Sequence, residues 1–431
     1  MKKYQHVAQA AEAAREMLKQ NHRSGHSVGA GLPYNYTCPS PETYPFQWAW
    51  DSSYHAISLL HVDTQRARDE ISSLVSAVTP TGFIPHMVLW QDDLRAQATA
   101  EFRIDLWEGW RSVTIAPPVL ARGIERIFEA TGGGDWLAEV LPPAIAFFSW
   151  LAENRTSPET GLLEIYQPDE SGLDMSPKYD RALGIHTSAP DRIADDWHQA
   201  MRELIGSYSQ ERTPESRLGE HRTFVWNDVL VNSIYADGLL LLSRLALAAG
   251  LPHETSTALS VRSQGISESL LRHCWDDEAG AFFDVDRVTG ARVDVLTASA
   301  LFPIILDSIP AYHAGRLIEE HLLNEREFWH RYPISSVAAT EPHFDPDFST
   351  RAIFRGSSWL NLNWYLYWGL RARGYADQAT TLAERTVELV ARAGMRECYG
   401  PYDAAGHGAR SFGWSSLVLD LIHAEKFQGL K

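Results

Sequence analysis

Four carboxylates stand in one loop-like run, QPDESGLDMSPKYD, between Gln167 and Asp180. Asp174 lies between Leu173 and Met175, an apolar setting that raises a carboxyl pKa on burial and so suits a general acid. Gly172 and Pro177 hold the chain in a turn, and an Asx turn is the purely structural use of the same aspartate. The other three acids, Asp169, Glu170 and Asp180, read as rim or solvated positions. Far along the chain, in ECYGPYDAAGHGARSFGWSS, Glu397 follows the end of a predicted helix and leads into a glycine-rich aromatic loop. A surface glutamate is the ordinary reading of Glu397; the other is a carboxylate where the chain crosses the mouth of the fold.

Two further stretches carry aromatic residues beside polar ones. In YPFQWAWDSSYHAISLLH, Tyr44, Trp48 and Trp50 precede Asp51 at the expected start of a helix. Asp51 is read either as an N-cap or as a carboxylate that fixes two hydroxyls of a sugar held between aromatic faces. In IFRGSSWLNLNWYLYWGL, Arg355 and Gly356 precede a helix on which Trp359 and Asn363 share a face, either as core or as a sugar contact.

The 431 residues carry 38 Lys and Arg against 55 Asp and Glu, a formal charge of −17. That field repels phosphate backbones and anionic lipid, so nucleic acid and membrane surfaces are not expected partners. The chain shows neither a long uncharged apolar run nor a signal-type apolar region near its start, and a cytoplasmic location is expected. Cys38, Cys274 and Cys398 are far apart with no ligand spacing, so neither a disulfide framework nor a metal site is expected. No cofactor is expected; a small-molecule carbohydrate is the expected partner, and a homo-oligomer stays open.

Helical periodicity predicts twelve helices near 4–21, 51–62, 63–77, 111–131, 134–154, 224–249, 253–275, 295–306, 311–324, 357–373, 375–394 and 411–426. Most come as pairs joined by short turns at Gly250 or Gly374. Twelve paired helices with long connections after alternate members predict an all-α (α/α)6 barrel filling 1–431 as one catalytic domain. Loop or cap insertions are expected near 80–110, 155–222 and 325–355, with short hairpins in GLLEIYQ and GAFFDVDRVTGARVDV at one mouth.

In this order, YPFQWAWDS, SGLDMSP, RGSSWLNLNW and ECYGPYDAAGHGARSFGWSS resemble glycoside hydrolase family 63 over nearly the whole chain. More narrowly they resemble its short bacterial members that hydrolyse mannosylglycerate and glucosylglycerate. The resemblance implies an (α/α)6 barrel and an inverting α-glycosidase. It maps Asp174 onto the general acid, Glu397 onto the general base, and Tyr44, Trp48, Trp50, Asp51, Gly172, Arg355, Gly356 and Trp359 onto sugar-holding positions. Ile353, Phe354 and Ala116 depart from the family pattern at positions expected to line the pocket, so glucose, mannose and the aglycone are not distinguished. Arg212, Arg217 and Arg222, in ERTPESRLGEHR, are the candidates for binding an anionic aglycone.

Competing readings are an α-glucosidase for glucosylglycerol or short α-linked oligosaccharides, and a sugar epimerase or isomerase using paired histidines among His55, His61 and His86. A non-catalytic carbohydrate-binding protein is the third. Carboxylates 223 residues apart in sequence can act together only if the fold brings their loops to one mouth.

Overall fold

A computed structural model describes residues 2–102, 107–185, 189–208, 213 and 223–427. Helix α1 (Lys2–Gln20) is followed by the pair α2 (Ala49–Leu59) and α3 (Thr64–Ser76). The turn between them is fixed by Asp63, whose Oδ1 accepts from the backbone N–H of Gln65 and Arg66 at 3.0 and 3.1 Å, as an N-cap should. Short α4 (Arg95–Phe102) precedes the pair α5 (Leu120–Thr131) and α6 (Gly134–Asn154), and α7 (Ile193–Gly206) lies in the long connection before α8 (Val229–Ala248) and α9 (His253–His273). The fourth pair is a 3₁₀ segment, Ala298–Ile305, with α10 (Ala311–Arg316), which runs on into a π-helical turn at Leu317–Leu322. The fifth is α11 (Leu360–Ala372) with α12 (Ala376–Ala393). The sixth inner element is Gly413–Leu417 continuing into α13 (Val418–Ala424), and its outer partner is α1 from the other end of the chain.

The ring closes on itself. Helix α2 packs on α5, α5 on α8, α8 on Ala298–Ile305, that segment on α11, α11 on Gly413–Leu417, and Gly413–Leu417 back on α2. Six inner elements, each with an outer partner, make an (α/α)6 barrel. Helix α8 is apolar enough by length and composition to cross a membrane, but 89% of its apolar window is buried as one stave of the inner ring.

Several elements differ from the periodicity reading for local reasons. The helix expected over 111–131 begins at Leu120, because Pro117 and Pro118 disfavour helix before them and Arg111–Ser112 is drawn into a small antiparallel sheet. Its strand order is Gln47–Trp48, Met87–Val88, Arg111–Ser112, Trp107–Glu108. Pro303, which lacks an N–H, lies inside the segment expected to be helical over 295–306, and that segment is 3₁₀. The hairpin His22–Ser27 with Leu32–Thr37 and the helix α7 were not anticipated.

The connection carrying the acid-rich loop is stitched to the inner ring by backbone capping. Asn232 on α8 accepts from the N–H of Leu163 at 2.7 Å and donates to its carbonyl at 3.0 Å, while Ile165 pairs with Trp226. The segment 161–167 therefore enters the mouth at a fixed height.

Candidate active site

The run Gln167 to Asp180 is held from below by ion pairs, which corrects the reading of Glu170 and Asp180 as solvated acids. Glu170 is fully buried, accepts both arms of Arg155 at 2.8 and 2.9 Å, and also accepts the N–H of Tyr166 and Ile115 at 2.8 and 3.0 Å. Lys178 bridges Asp228 and Asp284 at 2.6 and 2.7 Å, and Asp180 is paired with the buried Arg355. Removing one member of such a pair strands a buried charge, at a cost of about 3–5 kcal/mol. The loop between these anchors is correspondingly rigid.

Within it, Pro168–Ser171 forms a 3₁₀ turn that ends at Gly172 with φ of 69°. A Cβ at Gly172 would come within 2.4 Å of the Trp50 ring, so glycine is what lets the turn press on that indole. Asp169 and Asp174 then face the same cavity, and Asp169 is the second correction, because it lines the site rather than the rim.

Opposite the loop, the first turn of α2 brings in Asp51. The N-cap position belongs to Trp48, so Asp51 is two residues inside the helix and is not the cap. It is 3% exposed, and its Oδ1 has no hydrogen-bond partner among the described residues. Trp48 stands edge-on to Tyr44 and to His86, with centroids at 6.0 and 5.1 Å, and Trp50 stands edge-on to Trp414 at 5.4 Å. These rings form a wall with Asp51 at its foot.

Glu397 arrives on the strand Arg396–Tyr399, which pairs with Gly406–Arg410. Its Oε2 accepts the N–H of Ala409 at 2.7 Å and its Oε1 accepts the Tyr44 hydroxyl at 3.3 Å. The Trp414 indole N–H donates to its backbone carbonyl at 3.1 Å.

Tyr44, Trp48, Trp50, Asp51, Gly172, Asp174 and Glu397 thus share one cavity of about 290 Å³. Four carboxyls in one low-dielectric space cannot all be ionised, and their surroundings separate them. Burial, reinforced by the charges of Asp169 and Glu397, holds the Asp174 carboxyl well above its ordinary value. Burial and the charges of Glu397 and Glu70 do the same to Asp51, and burial beside Glu170 lifts Asp169 to about 7. Burial raises Glu397 to about 6, where the Ala409 N–H and the Tyr44 hydroxyl oppose a larger rise. At neutral pH the arrangement favours a proton on Asp174 and a charge on Glu397.

Arg355, Gly356 and Trp359 do not line this cavity; they stand one layer behind it. Arg355 is spent on Asp180, Gly356 lies where a Cβ would meet the Asp345 backbone at 2.8 Å, and Trp359 stacks on Phe354 at 3.7 Å with an 11° tilt. Phe354 and Ile353 take the lining position in their place. Phe354 holds a φ of 57°, a region where non-glycine residues are uncommon, and the stack on Trp359 keeps it there.

The histidines do not form a pair. His86 lines the cavity with its pKa pushed down to about 3 by burial, and His55 lies buried beneath Gly413. His61 bonds Asp420 at 2.9 Å, ten residues beyond Asp51, or roughly 15 Å at the helical rise. Among the described residues no group of three His, Cys, Asp or Glu is arranged to hold a metal. Arg212, Arg217 and Arg222 lie outside the described residues.

Helix α7 supplies residues that the sequence reading missed: Trp197, His198, Met201, Arg202 and Ile205 line the cavity. Its apolar positions Ile193, Trp197, Met201 and Ile205 recur every fourth residue, so periodicity could have found it. Arg202 directs a buried Nη1 with no hydrogen-bond partner among the described residues, and the Trp197 indole N–H is likewise unmatched.

Comparison with known proteins places this site in context. The model of the mannosylglycerate hydrolase MGH1-like glycoside hydrolase domain matches residues 44–415. The mannosylglycerate hydrolase of Thermus thermophilus is 28% identical over 94% of this chain and 98% of its own length. The glucosylglycerate hydrolase of Mycolicibacterium hassiacum is 24% identical over 90% of this chain and 94% of its own. The crystal structure of the family 63 mannosylglycerate hydrolase from Thermus thermophilus in complex with Tris and D-glycerate superposes with a TM-score of 0.81 at 28% identity, covering 95% of this chain and 99% of that one. The family model spans the segments that carry Tyr44, Asp51, Asp174, Glu397 and Trp414, and the chain belongs to the MGH1-like glycoside hydrolases of family 63.

Proposed function

We propose that this glycosidase hydrolyses a small α-glycoside of glycerate, releasing mannose or glucose with inversion, and that Asp174 and Glu397 are its acid and base. The observation that carries this reading is that Asp174 and Glu397, brought from distant segments, line one cavity, where burial and neighbouring charge hold Asp174 well above its ordinary value and burial raises Glu397 only to about 6. Asp174 gives its proton to the glycosidic oxygen as the bond to the anomeric carbon breaks. Glu397 takes a proton from the water that attacks that carbon on the opposite face. Asp51 accepts from ring hydroxyls, and Trp48 and Trp50 offer faces and edges to the sugar.

An acidic aglycone is supported by the similarity to mannosylglycerate and glucosylglycerate hydrolases and by Arg202, which lines the cavity with a buried Nη1 that has no hydrogen-bond partner among the described residues. A carboxylate that reaches this Nη1 gains a charge-assisted hydrogen bond while the bond from Nη2 to Gln199 stays in place. The apolar lining from Met175, Ile353 and Phe354 favours a second reading, a neutral aglycone such as that of glucosylglycerol.

The test is a hydrolysis panel of mannosylglycerate, glucosylglycerate, glucosylglycerol and α-linked disaccharides, run on the wild type and on Asp174→Asn and Glu397→Gln. Turnover highest on a glycerate conjugate, lost in both variants with folding intact, is the expected result. Full activity in either variant ends the assignment of that residue, and release of sugar only from neutral conjugates selects the second reading.

A further inference from the structure

A second cavity, of about 270 Å³, lies where α5, α8 and α11 run away from the candidate active site, closed by Leu306, Asp307 and Ser308. Its volume nearly equals that of the first. The two are separated by an aromatic floor: Tyr54, three residues after Asp51 on α2, meets Trp364 and Tyr365 of α11 edge-on with centroids at 6.5 and 6.2 Å.

The lining is built rather than incidental. Nη2 of Arg122 donates to both carboxylate oxygens of Asp237 at 2.6 and 2.8 Å and its Nη1 to Glu125 at 2.9 Å, and Arg126 bonds Asp420 at 2.6 Å while lying 4.9 Å over the Trp368 ring. Two polar groups remain unmatched. Tyr365 is 2% exposed and its hydroxyl has no hydrogen-bond partner among the described residues, and the buried indole N–H of Trp368 has none among them either. A buried hydroxyl left without a partner costs free energy that a ligand or a water must recover.

The charges decide the ligand class. Two of the three arginines, Arg122 and Arg126, are already neutralised by carboxylates, and the lining carries Glu125, Glu129, Asp237 and Asp307 against Arg122, Arg126 and Arg244. An anion meets a surplus of acid. A neutral polyhydroxy compound finds donors, acceptors and an aromatic face, the same complement that holds a sugar elsewhere.

We propose that this cavity is a second binding site, for a neutral polyol of about monosaccharide size, distinct from the candidate active site. Tyr365 and Trp368 are its recognition groups, and Ala372, exposed at the rim, is the place to close it. The test titrates the full chain with glucose and with mannose by saturation-transfer NMR and calorimetry, in the wild type, Ala372→Trp and Tyr365→Phe. Expected are two sugar sites in the wild type and one in Ala372→Trp with turnover unchanged. Tyr365→Phe should weaken only the second site, by about tenfold. A single site in the wild type, or a second site that survives Ala372→Trp, overturns the proposal. Binding of inorganic phosphate that Ala372→Trp abolishes, with no second sugar site, overturns the ligand class.

Discussion

The Tyr44 hydroxyl donates to Glu397 Oε1 at 3.3 Å across 353 residues of sequence. The contact ties the aromatic wall before α2 to the strand that carries the proposed base. Because it stabilises the ionised form, its loss must push the Glu397 carboxyl further up.

Tyr44→Phe is therefore expected to move the acidic limb of the kcat/KM profile to higher pH. In the wild type, activity should rise as Glu397 ionises near pH 6 and fall again as Asp174 loses its proton at higher pH. A pH–rate profile checks this, and an unchanged acidic limb in the variant would show that Glu397 is not the group observed.

Glu397→Gln should stabilise the protein. The folded carboxyl titrates at about 6 against an ordinary 4.5, so the folded state holds its proton more tightly and ionisation works against folding. The penalty is absent below pH 4.5, grows between 4.5 and 6, and is complete above, at about 2 kcal/mol. Denaturant unfolding of both proteins at pH 4 and pH 7.5 should show the gain only at the higher pH.

Arg202→Met should discriminate between substrates. If its guanidinium receives the aglycone carboxylate, kcat/KM on a glycerate conjugate falls by about 10- to 100-fold, since a charge-assisted hydrogen bond contributes roughly 1.5–3 kcal/mol. Activity on a glycoside with a neutral aglycone should stay within about twofold. An equal loss on both substrates would give Arg202 a structural role.

Arg355→Met should destabilise the fold by about 3–5 kcal/mol, because it leaves Asp180 buried without its partner. Combining it with Asp180→Leu should recover most of that loss, as measured by urea unfolding. A double variant no more stable than Arg355→Met alone would place the effect in the packing around Phe354 and Trp359 instead.

Much of the architecture was legible in local patterns. Nine of the twelve expected helices recur as helices within a few residues of their forecast ends, and the exceptions, at 111–131, 295–306 and 411–426, trace to Pro117 and Pro118, to Pro303 and to the glycine-rich entry to Gly413–Leu417. Helix α7 was hidden inside a connection rich in Pro, Gly and charge, and the first hairpin has too polar a sequence to show strand alternation. Neither failure concerns the ring, whose staves are long and strongly apolar.

What the sequence by itself determined is the set of pieces: paired helices by their apolar period, and acids placed beside glycine, proline and tryptophan. What only the tertiary structure decided is the direction each side chain takes. Asp169 and Glu170 are neighbours in the same loop, yet one faces the cavity and the other turns inward to Arg155. Arg355 looks like a substrate contact in its motif and is consumed by Asp180 instead. The reason is that a carboxyl's burial and charge state depend on groups brought in from distant segments, such as Tyr44 and Ala409 around Glu397, and no local pattern records them.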